Sequence, residues 1–397
     1  MKMKLSVLAL ATTAFAFGIA GSASALPVNN NNSVQTINAR GSDTTFQMDQ
    51  KLSNVYTGSE GCVADTGNAN KALWINCAAT QPATAITTEN YDHDVPVQYD
   101  PQTWGSGKGL AALCNQTSAA GTGLLADVVP TEIARSSRPP VATDCTGLLA
   151  RGYAKDAIVP LNWRGQAGSP AVGVTNLTLA QLQGVFRDCT ITNWNQLGSA
   201  VSAPIVVWGI QTGSGTYKAF ANAIGATGAT FPNGANNCVT AGDPDGPGPL
   251  ANRIVQENDA QQVLAANAVT PGESGNSIWF MSFGPWQASL NLRGGSSFTK
   301  INNVTPSGAT VLNGTYLTDR FLFMVTRPGT AVAGHDANRN AATDFVSWVC
   351  ANSTAHTSAL NKDYATQITN AITSEGFYRN SDNSGTGSTD TCTNVTT

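Results

Sequence analysis

An α/β fold is what this sequence predicts, on three observations. Short apolar, strand-like runs alternate with helical stretches from Thr36 onward. Glycine-rich turns separate them, several standing directly before a helical pattern. Hydrophobic residues make up 41% of the chain, which suits an ordinary globular core and excludes wholesale disorder.

Residues 1–25 read as a secretory signal: Lys2 and Lys4 lead an apolar run from Leu5 to Ile19, and Ala23-Ser24-Ala25 forms an A-x-A cleavage site. No later segment has a membrane-spanning length free of charges and breakers. No cysteine precedes Cys62, so the residue that anchors a lipoprotein is missing. A mature chain of roughly 370 residues, enough for two to three domains, is expected to be freely soluble and monomeric. The Asn-rich segment Leu26–Asn32 reads as a mobile arm.

Phe46–Tyr56 then predicts a helix, Val95–Tyr99 a strand, and Lys108–Leu113 the start of another helix. Asp127–Ala134 leads into a strand; Ala157–Leu161 and Ala171–Val174 are strand-like and flank a turn at Gly165–Gly168. Thr178–Phe186 predicts a helix with Thr178 as its N-cap. Ile205–Ile210 reads as a strand feeding the helix after Thr212, and Gly242–Pro249 as a loop. Ser277–Phe283 and Tyr316–Val325 look like strands, Asp344–Val349 and Tyr364–Ser374 like helices, with Gly376 ending the last. The Ser/Thr/Gly/Asn-rich tail from Asn380 reads as loose apart from Cys392, and no internal repeat is visible.

Composition narrows the function classes. A formal charge of −4, more negative once Lys2 and Lys4 are removed, argues against nucleic-acid binding. Charged residues are only 12% of the chain; Asn, Thr, Ser and Gly replace them, a polar but uncharged surface suited to export. The eight cysteines at 62, 77, 114, 145, 189, 238, 350 and 392 contain no C-x-x-C pair, and only His93, His335 and His356 could assist them, so no metal or cofactor is expected. Export and an even count predict four disulfides, for which neighbour pairing (62–77, 114–145, 189–238, 350–392) is the simplest of about 105 arrangements.

Three turns share one chemistry. Gly41-Ser42-Asp43-Thr44-Thr45, Gly105-Ser106-Gly107-Lys108-Gly109 and Gly213-Ser214-Gly215-Thr216 each open a helix with small residues and a hydroxyl. Helix N-termini present unpaired N–H groups and a partial positive charge, so three that converge would form an oxyanion site. The second turn is not a nucleotide P-loop, because position 102 is Gln and position 109 is Gly. Neither Ser106 nor Ser214 has Gly two residues before it, so neither sits on a nucleophile elbow. His335-Asp336 and the run Asp336, Asn338, Asn340 read as solvated loop rather than triad or calcium loop. No catalytic residue is assigned, and an enzyme such as a secreted phosphatase ranks below a binding protein.

With those residues in hand, the chain resembles the phosphate-binding proteins that feed bacterial phosphate ABC transporters. Asp43-Thr44-Thr45-Phe46 is similar to the family's first ligand loop, and Tyr99–Gly109 to its second. Ala134-Arg135-Ser136-Ser137 resembles a strand end that usually reads Ala-Ser-Asp. Leu177–Leu197 resembles the family's helix and Trp-Asn turn, Gly213–Thr216 its Gly-Ser-Gly-Thr loop, and Tyr316–Val325 a strand that usually starts Tyr-Pro-Leu-Thr-Arg.

The resemblance implies a two-lobed periplasmic-binding-protein (Venus flytrap) fold, with two mixed sheets flanked by helices and two crossover strands as a hinge. It implies lobe I from 34–162 plus 321–397 and lobe II from 163–320. It also implies phosphate or a related oxyanion as ligand, held by Thr45, Phe46, Ser106, Gly107, Ser137, Ser214, Gly215 and Thr216, and an ABC permease as partner. Ser137 stands where the family has a cleft aspartate, and Ile210 where it tends to have arginine. A site without that carboxylate is expected to discriminate phosphate from sulfate less well. Arg135 and Arg138 are the candidate replacement cations, with Arg40 a third beside a matched loop. The alternative is a secreted surface or adhesion factor that keeps this fold with an altered or lost anion site.

Overall fold

The computed structural model describes residues 37–57, 86–87, 105–115, 131–211, 213–226, 238–240, 252–327, 365–380 and 392–397, with positions 342, 345–346 and 348–350. The signal, the Asn-rich arm, the Val95–Tyr99 strand, the Gly242–Pro249 loop, the Cys62–Cys77 pair and the His335 region lie outside the described residues.

The architecture is mixed α/β, organised by one long strand. Strands β1 (Ile37–Gly41), β2 (Ile86–Thr87) and β3 (Ile133–Ser136) lie parallel, β1 in the middle. Next comes β4 (Leu149–Asn162), a strand of 14 residues buried along almost its whole length. Two short parallel pairs stand off the main sheet: β5 (Asn176–Leu177) with β11 (Lys300–Ile301), and β7 (Gly209–Ile210) with β8 (Ile254–Val255). Strands β6 (Val206–Val207), β9 (Ser277–Ser282), β10 (Ser297–Phe298), β12 (Asp319–Thr326), β13 (Tyr378–Arg379) and β14 (Thr393–Thr396) complete the set. The order is β2-β1-β3-β12-β4-β9-β6, with β10, β13 and β14 also on β4.

The two ends of β4 belong to different halves of this sheet. Residues 149–157 pair antiparallel with β12, and β13 and β14 also pair within this stretch. Residues 158–162 pair with β9, and Leu161 and Asn162 also with β10. The apolar cores divide at the same place. One is built from Leu161, Trp163, Phe186, Trp194, Trp208, Phe220, Trp279 and Phe280. In it Phe220 stacks on Phe280 at 4.0 Å, with Phe186 edge-on to both at 5.2 and 5.5 Å.

The other half is a sheet covered on both faces, as strand alternation requires. Ile133, Leu322 and Met324 point towards α1 (Phe46–Thr57) and a C-terminal helix, Ala365–Thr373. Ala134, Phe323 and Val325 point the other way, towards α2 (Ser106–Asn115).

Local sequence explains most elements. Helix α3 (Leu179–Phe186) starts at Thr178, whose hydroxyl accepts from Gln181 N–H at 3.1 Å while the Gln181 side chain reaches back to Thr178 N–H. Disulfides join 114–145, 189–238 and 350–392, as neighbour pairing expects; each closed loop contributes on the order of 3–4 kcal/mol.

Three expectations are corrected. Ala171–Val174 is turn, not strand: Gly168, Pro170 and Gly173 punctuate it, and Ala171 and Val174 are buried without strand pairing while Val172 is exposed. The tail is not wholly loose, because β14 pairs with Leu149–Gly152 and Cys392 holds its start. The expected Tyr316–Val325 strand begins only at Asp319.

Candidate functional site

Three helix starts meet. After β1, Gly41 takes a positive φ of 127°, and a Cβ there would strike the Arg135 carbonyl. Ser42 N–H donates to that carbonyl at 3.0 Å, which locks the loop onto β3. A 3₁₀ turn, Asp43–Thr45, then delivers α1. Gly105, with φ of 115°, opens α2 and lies so close to Gly213 that a Cβ would sit 2.7 Å from the Gly213 carbonyl oxygen. Gly107 N–H donates to that same oxygen at 3.2 Å. Ser214 caps the third helix, α4 (Gly215–Ala223), by accepting from Tyr217 N–H at 3.1 Å.

The hydroxyls form one buried cluster. Ser106 Oγ and Ser137 Oγ are 3.1 Å apart, Ser137 N–H donates to Ser106 Oγ at 3.0 Å, and Ser42 Oγ donates to Ser137 Oγ at 3.2 Å. Gly215 faces this trio: a Cβ on it would fall on the hydroxyls of Ser106 and Ser137. Thr44 Oγ1 lies 3.4 Å from Thr216 Oγ1, accepts from Asn258 Nδ2 at 3.0 Å, and donates to Glu257 Oε1 at 2.7 Å. Ser214 Oγ donates to the other oxygen of Glu257.

An arginine side chain donates to one of these hydroxyls. Arg320, on β12, donates to Thr216 Oγ1 at 2.7 Å and to the Ser137 carbonyl at 3.4 Å. Its other nitrogens hold Asp156 Oδ2 at 2.8 and 3.1 Å. Asp156, on β4, also accepts from Ser282 Oγ at 2.6 Å and Gly284 N–H at 3.1 Å. This buried pair therefore sits where β4 passes from one half of the sheet to the other, with every carboxylate oxygen engaged.

Two carboxyls here are displaced from their ordinary range. Burial and the nearby Asp43 push Glu257 up to about 7, against the pull of Arg320 and the Thr44 hydrogen bond. Burial lifts Asp49, on α1, to about 6, restrained by Arg135 and by Tyr153, whose hydroxyl donates to it at 2.5 Å.

The structure brings Ser106, Ser137, Ser214, Gly215 and Thr216 together, all fully or nearly fully buried. In the first loop the hydroxyl turned into the cluster belongs to Thr44; Thr45 is buried beside it, and Phe46 N–H donates to Asp43 O. The Phe46 ring lies under the Arg135 guanidinium, 5.3 Å away, and Arg135 also donates to Ser42 O at 3.0 Å. Arg135 thus braces the loop from the α1 side. Arg138 is bidentate to Asp144 at 2.6 and 2.8 Å, and Arg40 is buried.

Sequence reasoning missed Thr44, Arg320, Asp156 and Glu257. Arg320 carried a signal, as the fifth residue of the Tyr316–Arg320 run. Glu257 carried none, and its presence corrects the expectation of a site without a carboxylate: it follows a two-residue strand, far from every motif.

A sheet divided about one shared strand, with helix starts converging where its halves meet, defines the two-lobed type II periplasmic binding proteins. A family model described as the PBP superfamily domain matches residues 76–353, and the chain belongs to that family. Among solved structures, an ABC-type phosphate transport receptor from Vibrio cholerae is similar at a TM-score of 0.50 and 17% identity, covering 86% of this chain and 99% of that one. A candidate phosphate ABC transporter substrate-binding protein with bound phosphate, from Clostridium perfringens, is similar at 0.50 and 16%, covering 87% and 99%. No curated protein matches in sequence.

Proposed function

We propose that this is an exported substrate-binding protein that captures an inorganic oxyanion, phosphate, between lobe I (34–162 plus 321–397) and lobe II (163–320) for uptake by an ABC permease. The observation that carries the reading is the convergence of three helix starts and six buried serine and threonine hydroxyls, Ser42, Thr44, Ser106, Ser137, Ser214 and Thr216, with the Arg320 guanidinium. Such an ensemble offers donors and positive potential in a dry setting, which suits a multiply charged tetrahedral anion. Arg320 takes the part expected of Arg135 or Arg138. The division of the apolar cores along β4 supports two lobes. Lobe closure would be the signal read by the permease. The similarity to a phosphate transport receptor and to a substrate-binding protein with bound phosphate supports phosphate over other oxyanions. Residues 1–25 direct export, and among the described residues no helix is long and apolar enough to cross a membrane.

Ser214→Asp tests the site by placing a carboxylate among its donors. Calorimetric titration should find phosphate binding abolished, whereas native affinity in the variant would locate the ligand elsewhere.

A further inference from the structure

Three consecutive side chains after β8 cross to the first helix start. Gln256 Nε2 donates to Asp43 Oδ2 at 3.1 Å, Glu257 Oε1 accepts from Thr44 Oγ1 at 2.7 Å, and Asn258 Nδ2 donates to that same Thr44 oxygen at 3.0 Å. With lobe I as 34–162 plus 321–397 and lobe II as 163–320, every one of these bonds joins lobe II to lobe I. We infer that Gln256 and Asn258 form an inter-lobe latch, which sets the lifetime of the bound anion without touching it. The inference rests on the reading of the cluster as an anion site between two lobes.

The backbone is shaped for this reach. Successive side chains of an extended chain point to opposite faces, so three neighbours cannot all meet one loop from a regular strand. Asn258 leaves that conformation with a left-handed φ of 67°, which asparagine tolerates better than most residues. The segment is also fastened on its own side. Gln262 Oε1 accepts from Gln256 N–H at 3.2 Å, Gln211 Oε1 from Glu257 N–H at 2.9 Å, and Asn258 Oδ1 from Ser282 N–H at 3.3 Å. All three of these partners belong to lobe II.

The amide donors of Gln256 and Asn258 are directed at oxygens of lobe I, so their bonds form when the lobes meet, whichever anion lies between them. Thr44 and Asn258 are buried, which shields their bond from competing water. An anion leaves only after these bonds break, whereas an anion arriving at open lobes does not meet them. The latch therefore acts on release.

The test measures the two rates separately on the native protein and two variants. Gln256→Met keeps the length of the side chain and removes its donor; Asn258→Gly keeps the left-handed turn and removes the amide. Release is followed by chasing bound radiolabelled phosphate with excess unlabelled phosphate, and association by rapid mixing and filtration. Each variant should release phosphate roughly 2- to 10-fold faster, the effect of one lost hydrogen bond, while association does not slow. If Asn258→Gly does not fold, Gln256→Met decides. Release at the native rate, or faster release with association slowed to match, overturns the latch and leaves the phosphate reading standing. Failure of the native protein to bind phosphate overturns that reading and this inference with it.

Discussion

Thr44 and Thr45 are adjacent threonines in one short turn, yet they do different things. The tight winding of Asp43–Thr45 sends the Thr44 hydroxyl into the cluster, where it meets Glu257, Asn258 and Thr216. Thr44→Val keeps the shape and removes the hydroxyl, leaving buried partners unpaired at roughly 1–3 kcal/mol. Phosphate affinity measured by titration should fall about 5- to 100-fold, and an unchanged affinity would mean the first loop does not contact the ligand. That hydroxyl residues open these helices was legible in the sequence because it is a local feature. Which hydroxyl turns inward was not, because one step of backbone twist decides it. Arg320 and Glu257 were hidden for another reason: they lie 104 and 43 residues from the Thr216 and Ser214 hydroxyls they meet, and only the folded sheet brings them there.

Elements were readable where a local signal marks them. Helix α3 carried its capping box, and β9 (Ser277–Ser282) its run of apolar residues. Strand β4 was seen only as Ala157–Leu161, because its first half, Leu149–Asp156, mixes charged residues whose burial depends on neighbouring strands. Strand β14 was missed because Thr393–Thr396 is polar and its pairing partner is β4, remote in sequence. The close meeting of α2 and α4 makes a test at this scale. Gly215 has no positive φ, so alanine costs its backbone nothing and is the better helix former. A methyl group there would strike the hydroxyls of Ser106 and Ser137. Gly215→Ala should therefore lower phosphate affinity at least about tenfold and, because overpacking of this buried cluster outweighs the gain in helix propensity, lower the thermal midpoint as well; retained affinity would show that the two helix starts need not meet.

For the molecule as a whole, the buried carboxyls link stability to pH. Glu257 is raised from 4.5 to about 7 and Asp49 from 3.8 to about 6, so the folded state holds their protons more tightly than the unfolded chain does. Their contribution is full below about pH 4 and is lost as pH rises to about 7, each pKa unit being worth roughly 1.4 kcal/mol. Denaturation midpoints in anion-free buffer should fall between pH 5 and pH 8, and Asp49→Asn, which can still accept from Tyr153, should reduce the slope. A midpoint that rises across that interval would contradict the sign.

On this reading the convergent helix starts hold phosphate. Equilibrium dialysis with radiolabelled phosphate tests it most directly, on protein unfolded and refolded to strip bound anion, with Ser214→Asp alongside. The native chain should bind one phosphate saturably and the variant none. No binding to the native chain, or equal binding to both proteins, would contradict it.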